Sequence, residues 1–264
     1  MVEVHNWDAR DTASTVFHGT PRAFGGNKVH EISYPRHMQY RDVAKACKTA
    51  ELTLAPDPLD QYLNGTPDSL RWKLGRKVTF HLQFCKVVRE KSEWTINHGE
   101  SIMNLGDPAR QEDAVDKIIN AIHNRLVRGL NQLTYSKEQR LRSAEFGTKM
   151  RKAIRDTLGE RTAYMIEVGS LATSPECQGR GYASSLVRVA TNLADARGVP
   201  SWLVSSNTAN RGFYHSLGFE VVTTFHVGDG NPTWTAAPVP VDIMVRHPKS
   251  MGDMWNEKTG VPAL

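Results

Sequence analysis

The alternation of apolar and polar residues is most regular between residues 164 and 222. Tyr164 to Leu171 is apolar and β-prone and predicts a strand that ends at Ser174-Pro175. After a glycine-containing loop, a helix with one apolar face is predicted by the three- and four-residue spacing of Ala183, Leu186, Val187, Ala190, Leu193 and Ala194. Ser201 to Ser206 predicts a second, buried strand, and a short helix after it ends at Gly218.

The pattern upstream is less regular but still divides into elements. Residues 1–28 show little periodicity and are interpreted as an irregular arm. The pattern then predicts a strand at Val29–Ser33 and three helices, at Tyr40–Leu52, Asp57–Leu63 and about Ser69–Val88. It also predicts a hairpin of Glu93–His98 and Ser101–Leu105 that turns at Gly99-Glu100. The first helix is expected to bury Val43, Ala44, Ala46 and Cys47, and the second to pack through Leu59, Tyr62 and Leu63. Gly75 and the β-prone run Val78 to Leu82 weigh against a helix in the third segment.

Two further amphipathic stripes lie between the hairpin and residue 164. The first contains Val115, Ile118, Ile119, Ile122, Leu126 and Leu130, and the second contains Phe146, Met150, Ile154 and Leu158. They predict two long helices whose apolar faces cover the sheet.

Composition is that of a soluble protein with one large or extended domain. A chain of 264 residues with 39% hydrophobic content can bury a sizeable core. Met1 to Asp8 lacks the basic and apolar regions of a signal peptide, and no apolar run is long enough to span a bilayer. Cys47, Cys85 and Cys177 stand in unrelated contexts and indicate neither a disulfide framework nor a metal site. We therefore expect a cytoplasmic location, with the nucleus as the alternative.

The loop before the helix at 182 has the chemistry of an anion site. Gly179 and Gly181 open that helix, whose first backbone N–H groups are unpaired and lie at the positive end of the helix dipole. Because glycine has no Cβ, the backbone there can approach a diphosphate closely. Arg180 adds a fixed charge and a forked donor that suits phosphate.

The spacing of this loop separates the known phosphate-binding families. A dinucleotide fingerprint needs a third glycine where Ser184 stands, and a P-loop needs a Gly-Lys-Ser/Thr triplet, which the chain lacks. Residues 178–183, with the pattern Gln-x-x-Gly-x-Ala, instead resemble the signature of the GNAT superfamily of acetyl-CoA-dependent N-acetyltransferases. A second match follows, because Asn207 stands seven residues before Tyr214 and the Leu-Gly-Phe of residues 217–219 comes next.

The resemblance implies a fold and a coenzyme site. The fold would be α/β (α+β), a mixed and mostly antiparallel central sheet with a splayed coenzyme-binding strand, flanked by helices, with a helical insertion before that strand. One acetyltransferase domain would span 29–246, with the insertion at about 107–160, the coenzyme core at about 164–222, and a tail at 247–264. Acetyl-CoA, the co-substrate, would be bound by Leu171, Ala172, Thr173, Gln178, Gly179, Arg180, Gly181, Tyr182, Ala183, Ser184, Asn207, Asn210 and Tyr214. No metal is implied.

Catalytic residues follow from chemical need and from the resemblance. Acetyl transfer to an amine requires a proton acceptor, and a proton donor for the departing thiolate. Tyr214 occupies the place of the family's thiolate-protonating tyrosine; the alternative role is a packed aromatic. Glu167, eleven residues before Gln178, matches the spacing of the base glutamate in histone-type members; the alternative is a structural strand carboxylate. His215 is expected to face away from the site, and Cys177 to be a small filler rather than an acetylated nucleophile.

The function predicted from the sequence is direct acetyl transfer from acetyl-CoA to a primary amine of a small molecule. The alternatives are acetylation of a protein or peptide amine, and a non-catalytic module that binds acyl-CoA. Insertions like that at 107–160 tend in the family to wall the acceptor side of the cleft, so their polar faces are candidates for substrate selection.

The formal net charge of +5 changes this picture little. The basic cluster Lys149, Arg151, Lys152 and Arg155 is interpreted as a solvated helix face, with attraction of the coenzyme 3′-phosphate or of a macromolecule as alternatives. Neither nucleic acid nor a membrane is expected as a partner, and the oligomeric state is left open.

Overall fold

The computed structural model describes residues 34–65 and 69–249. Its strands form one sheet in the order β1-β2-β3-β4-β5-β7-β6. Their bounds are Arg36–His37 (β1), Glu93–Ile96 (β2), Ser101–Gly106 (β3), Ile166–Thr173 (β4), Ser201–Ser205 (β5), Glu220–Val227 (β6) and Val239–Arg246 (β7). Neighbouring strands are antiparallel except β4 and β5, which are parallel. The fold class predicted from the sequence, a mixed and mostly antiparallel sheet flanked by helices, is confirmed.

The described residues also contain seven α-helices. Their bounds are Val43–Leu54 (α1), Pro58–Asn64 (α2), Leu70–Arg89 (α3), Ala114–Thr134 (α4), Lys137–Thr157 (α5), Tyr182–Arg197 (α6) and Arg211–His215 (α7). The helices α2 to α5 each begin at a side chain that accepts from a first-turn N–H, namely Asp57, Ser69, Asp113 and Ser136. None of these helices is long and apolar enough to cross a membrane.

Several sequence predictions fall outside the described residues. They are the arm at 1–28, the strand Val29–Ser33 and the tail beyond residue 249. The strand β1 has no counterpart among the predicted strands; it is two residues long and pairs with β2. The predicted domain bounds, 29–246, therefore stay a prediction.

The third predicted helix forms despite its glycine, because the glycine lets another helix approach. A Cβ on Gly75 would lie 2.5 Å from the Thr134 side chain at the end of α4. The contact of α3 with α4 thus uses the missing side chain, and the run Val78 to Leu82 stays helical. Tertiary packing here outweighs the local β preference.

Two apolar cores lie on opposite faces of the N-terminal half of the sheet. Met103 packs in the core under α6 and α7, whereas Ile102, the next residue on β3, packs in the core under α1 and α3. In α1, Val43, Ala46, Cys47 and Ala50 are buried, but Ala44 is exposed. The prediction that Ala44 points inward was wrong, because it lies about 100° from Val43 around the helix.

The two long helices of the insertion behave differently. The apolar stripe of α5 covers the sheet as predicted: Phe146 stacks near Phe225 of β6, and Ile154 packs with Trp202. The stripe of α4 does not cover the sheet.

Helix α4 contacts α3 through its polar side. Arg89 pairs there with Asp116, and the guanidinium lies 3.4 Å from the Asn120 amide oxygen. The apolar stripe faces away, with exposed fractions from 39% to 61% at Val115, Ile118, Ile119, Ile122 and Leu126. The prediction that this face covers the sheet was wrong, because periodicity identifies an apolar face and not its partner.

Candidate active site

The strands β4 and β5 separate in the middle of the sheet. They are paired in register only at Ile166 with Ser201 and at Glu167 with Trp202. Beyond these pairs, Leu171 on β4 and Ser205 on β5 both line a cavity of about 460 Å³. A gap between two parallel strands exposes main-chain groups that would otherwise be paired inside the sheet.

A bulge in β4 lies at the edge of this gap. Gly169 pairs with Asn104 and Ala172 with Ile102, so two residues of β4 stand opposite one residue of β3. Ser170, in this bulge, has a φ of 47°, which is uncommon for a residue with a Cβ. Ser170 and Leu171 both line the cavity. The bulge therefore turns part of the β4 backbone out of the ladder and toward the cavity.

The loop after β4 has the geometry of an anion cradle. Gly179 and Gly181 have φ values of 75° and 78°, and nothing lies within 4 Å of where a Cβ would stand on either residue. Gly181 is the N-cap of α6, and no side chain caps this helix, in contrast to α2 through α5. The first-turn N–H groups of α6 are therefore available to an exposed ligand. This loop fits a diphosphate.

Tyr214 lies on α7 and lines the same cavity. Its ring packs edge-on against Phe213 and Phe219, with centroid distances of 5.0 and 6.2 Å. Burial raises the pKa of Tyr214 to about 12. The phenol therefore keeps its proton at neutral pH and can donate it.

Comparison with known proteins agrees with this geometry. A family model described as an acetyltransferase (GNAT) domain matches residues 147–221, which contain β4, the glycine loop and Tyr214. Residues 147–221 are thus similar to the GNAT acetyltransferase domain. Acetyl-CoA is the acetyl donor of this family.

Relatives and solved structures extend the likeness to most of the chain. An uncharacterized N-acetyltransferase of Schizosaccharomyces pombe is 24% identical over 231 residues, covering 81% of this chain and 83% of the relative. Arylalkylamine N-acetyltransferase 2 from Aedes aegypti has a TM-score of 0.54 at 13% identity, covering 83% of this chain and 100% of that one. A Drosophila melanogaster polyamine N-acetyltransferase has a TM-score of 0.51 at 12% identity, covering 81% and 99%. These two structures support the GNAT fold.

The predicted coenzyme residues divide into two groups. Six of them line the cavity: Leu171, Ala172, Gln178, Asn207, Asn210 and Tyr214. The others, Thr173 and Gly179 to Ser184, form the end of β4, the loop and the first turn of α6 outside that lining. At least three of these side chains have internal partners. Tyr182 accepts a hydrogen bond from Asn97 at 2.8 Å, Arg180 donates to the Glu176 carbonyl at 2.9 Å, and the hydroxyls of Thr173 and Ser101 lie 2.8 Å apart.

Glu167 lies at the start of β4, opposite Gly106 of β3. A Cβ on Gly106 would stand 2.8 Å from the Glu167 Cβ, so this glycine makes room for the carboxylate. Burial raises the pKa of Glu167 to about 7. Glu167 is not among the residues that line the cavity with Tyr214. Its role as the base stays a prediction.

The side of the cavity opposite β4 contains residues that were not predicted from the sequence. Phe80, Phe84 and Val87 of α3 line it, and so do Glu93 of β2 and Asn104 of β3. Glu93 is 1% exposed and accepts one hydrogen bond, from the Asn104 amide at 3.2 Å. Burial raises the pKa of Glu93 to about 8. The sequence holds only a weak sign that Glu93 is buried. Glu93 lies on the same strand face as Thr95, and the structure shows that both are buried.

The insertion does not wall this cavity. None of the residues 107–160 is among its lining residues, so the hypothesis that α4 and α5 select the acceptor has no support in the structure. In the basic cluster on α5, Lys149 bonds Glu145 of the same helix at 2.8 Å and also pairs with Asp229, and Lys152 bonds Asp156 at 2.5 Å.

Two other candidate side chains are engaged elsewhere. His215 lies 3.2 Å from Glu220 at the surface. Cys177 is buried, and its burial together with Glu100 raises the pKa of the thiol, which opposes thiolate formation. In the described ranges, no group of three or more His, Cys, Asp or Glu side chains is arranged to hold a metal ion.

Proposed function

We propose that this protein transfers the acetyl group of acetyl-CoA directly to a primary amine of a small molecule. The observation that carries the proposal is one cavity that reaches both the coenzyme strand and a wall of apolar side chains. Leu171, Ala172 and Gln178 belong to the coenzyme side of that cavity, and Phe80 and Phe84 to the opposite side.

The coenzyme side supplies main-chain groups. The loop around Gly179 and Gly181 and the uncapped first turn of α6 would hold the diphosphate through backbone N–H groups. The bulged backbone at Ser170 and Leu171 would pair with the pantetheine arm. Bound there, acetyl-CoA supplies an activated thioester.

Tyr214 would act as the proton donor to the departing sulfur. Tyr214 lines the cavity, and its high pKa keeps the phenol protonated at neutral pH, so that the hydroxyl can donate to the sulfur as it departs. The reaction forms a nitrogen–carbon bond and breaks the carbon–sulfur bond of the thioester. The phenol proton passes to sulfur, and a proton released by the nitrogen restores the phenol.

The size of the cavity favours a small acceptor. Its volume of about 460 Å³ lies within the range of about 300 to 1,000 Å³ that is typical of small-molecule sites. Residues of the helices α1 and α3 line it on the acceptor side. The Aedes and Drosophila structures, at 13% and 12% identity, are named for arylalkylamine and polyamine acetylation, and this agrees with a small amine.

A thiol-release assay tests the proposal. The full chain is incubated with acetyl-CoA and a panel of small primary amines, with lysine-containing peptides and with the corresponding alcohols. We expect amine-dependent release of free thiol together with the mass of the N-acetylated small amine. Turnover restricted to peptides would support the protein-acetylating alternative, and coenzyme binding without turnover on any acceptor would support the binding module.

A further inference from the structure

A buried carboxylate in the acceptor wall lacks a partner for one of its oxygens. Glu93 Oε2 accepts from Asn104, but no described residue donates to the buried Oε1. An ionised carboxylate so placed is strongly disfavoured, unless a positive charge or more donors reach it.

The second carboxylate of the cavity wall provides the contrast. Asp57 Oδ1 accepts from the backbone N–H groups of Leu59 and Asp60 at 2.9 and 3.2 Å, and Oδ2 accepts from the Ser206 hydroxyl at 2.7 Å. Both oxygens of Asp57 are thus engaged, one with the first turn of α2 and the other with Ser206, the residue after β5. Of these two carboxylates in the cavity wall, only Glu93 has an oxygen without a hydrogen-bond partner.

The charged groups on the elements around β2 are engaged with other partners. On α3, Lys86 pairs with Glu90 at 2.8 Å, and Arg89 pairs with Asp116. On β1, the His37 ring lies against Trp94, with centroids 4.1 Å apart. The pKa of Glu93 is accordingly set by burial, which raises it, and by the Asn104 hydrogen bond, which lowers it. A ligand with a positive charge would supply the partner that Oε1 lacks.

We propose that Glu93, positioned by Asn104, forms the subsite for the ammonium group of the acceptor and takes up its proton. This inference rests on the proposed function and adds to it the amine-binding and proton-accepting residue. Both side chains line the cavity that contains Tyr214.

The proton balance of the reaction can then be completed. Glu93 Oε1 takes one proton from the bound ammonium, and the neutral nitrogen forms the bond to the acetyl carbon as the carbon–sulfur bond breaks. Tyr214 gives its proton to sulfur and receives the second proton that nitrogen loses. Glu93 releases its proton to solvent when the amide leaves, so each turnover yields the amide, the free thiol and one proton.

The surroundings of Glu93 also define the acceptor class. Leu54, Phe80, Phe84 and Val87 line the cavity with apolar surface, and one carboxylate with a free oxygen matches one positive charge. The subsite therefore suits a primary monoamine with an aromatic or aliphatic body. 2-Phenylethylamine and hexylamine are suitable probes, with 2-phenylethanol as the neutral analogue.

The test compares Glu93→Gln with wild type and with a surface control, Glu160→Gln. Wild type is first assayed with the two amine probes; absence of turnover on any amine would count against the proposed function itself. With turnover established, we expect Glu93→Gln to lower kcat/KM by about a hundredfold while coenzyme A affinity stays within twofold. Inhibition by 2-phenylethanol should be unchanged, because the alcohol carries no charge. Glu160→Gln should behave as wild type.

The pH profile separates Glu93 from a structural role and from Glu167. Since the pKa of Glu93 lies near 8, wild-type kcat/KM should rise toward pH 8 and fall near pH 10, where the ammonium itself loses its proton. Glu93→Gln should remove the rising limb. Asn104→Asp provides a second variant: its added negative charge should move the limb to higher pH. An unchanged limb in both variants, or its loss in Glu167→Gln alone, would overturn the inference.

Discussion

The two walls of the cavity are built on different principles. The coenzyme wall, β4 with the loop and α6, offers main-chain groups that are exposed by a bulge, two glycines and an uncapped helix. The acceptor wall, formed by α1, α3, β2 and β3, offers apolar side chains and one buried carboxylate from elements far apart in the chain. A ligand held by the backbone leaves a local sequence signature, whereas a ligand held by converging side chains leaves almost none.

The largest effect is expected from a change in the coenzyme wall. Gly181→Val places a β-branched residue at a φ of 78° and a side chain where the diphosphate would lie. We expect the affinity for coenzyme A to fall by a hundredfold or more in isothermal titration. Gly129→Ala, in α4 with nothing within 4 Å of the added Cβ, is the matched control and should bind normally. If Gly181→Val binds coenzyme A with unchanged affinity, the loop does not hold the coenzyme through its backbone, and the contrast between the two walls is wrong.

The next effect concerns Tyr214, which lines the same cavity as both walls. Tyr214→Phe keeps the ring packing and removes only the hydroxyl, so kcat should fall by about a hundredfold while coenzyme A affinity stays within twofold. Single-turnover measurements with an amine probe isolate the chemical step. Tyr164→Phe changes a 48% exposed tyrosine and serves as the control. A Tyr214→Phe enzyme with the wild-type chemical rate would return Tyr214 to a packing role.

A smaller effect is expected from the acceptor wall alone. Phe80→Ala removes apolar surface from the cavity, and KM for 2-phenylethylamine should rise by about tenfold with coenzyme A affinity unchanged. Val78→Ala lies on the same helix but is 46% exposed, and its KM should not change. Parallel losses of amine and coenzyme binding in Phe80→Ala would show that the walls are not independent.

The last effect concerns stability rather than activity and appears in its pH dependence. The folded-state pKa of Glu93, about 8, lies above its ordinary value of 4.5. The folded protein therefore holds a proton that the unfolded chain has lost, and stability decreases as pH rises from about 5 to 8. The slope contributed by Glu93 approaches about 1.4 kcal/mol per pH unit. Urea unfolding at several pH values should show a shallower decrease in Glu93→Gln, and equal slopes would contradict the burial of an unpaired carboxylate.

The sequence predicts the loop and the helix of the coenzyme wall for a physical reason. Gly179, Gly181 and the helix that starts at Tyr182 are neighbours in the chain, so one local pattern encodes their backbone geometry and suggests their proposed role. The acceptor side is different, because Glu93 acquires its character only when α3 and β3 bury it. The apolar stripe of α4 at Ile118 and Ile122 is a second example. Its spacing predicts a helix, but the exposure of its side chains depends on which side of α4 contacts α3.

The position of β7 has a consequence for the order in which the chain folds. β7 is the last strand in the sequence, yet it lies between β5 and β6, and β6 joins the sheet only through it. Residues of β7 enter three of the four apolar clusters, through Met244, Val241 and Ile243. A nascent chain that has passed Tyr214 therefore still lacks the strand on which α7 and β6 depend. Long-range pairing of this kind is slow to form, so β5 and β6 can join one sheet only after β7, their common neighbour, has been synthesised.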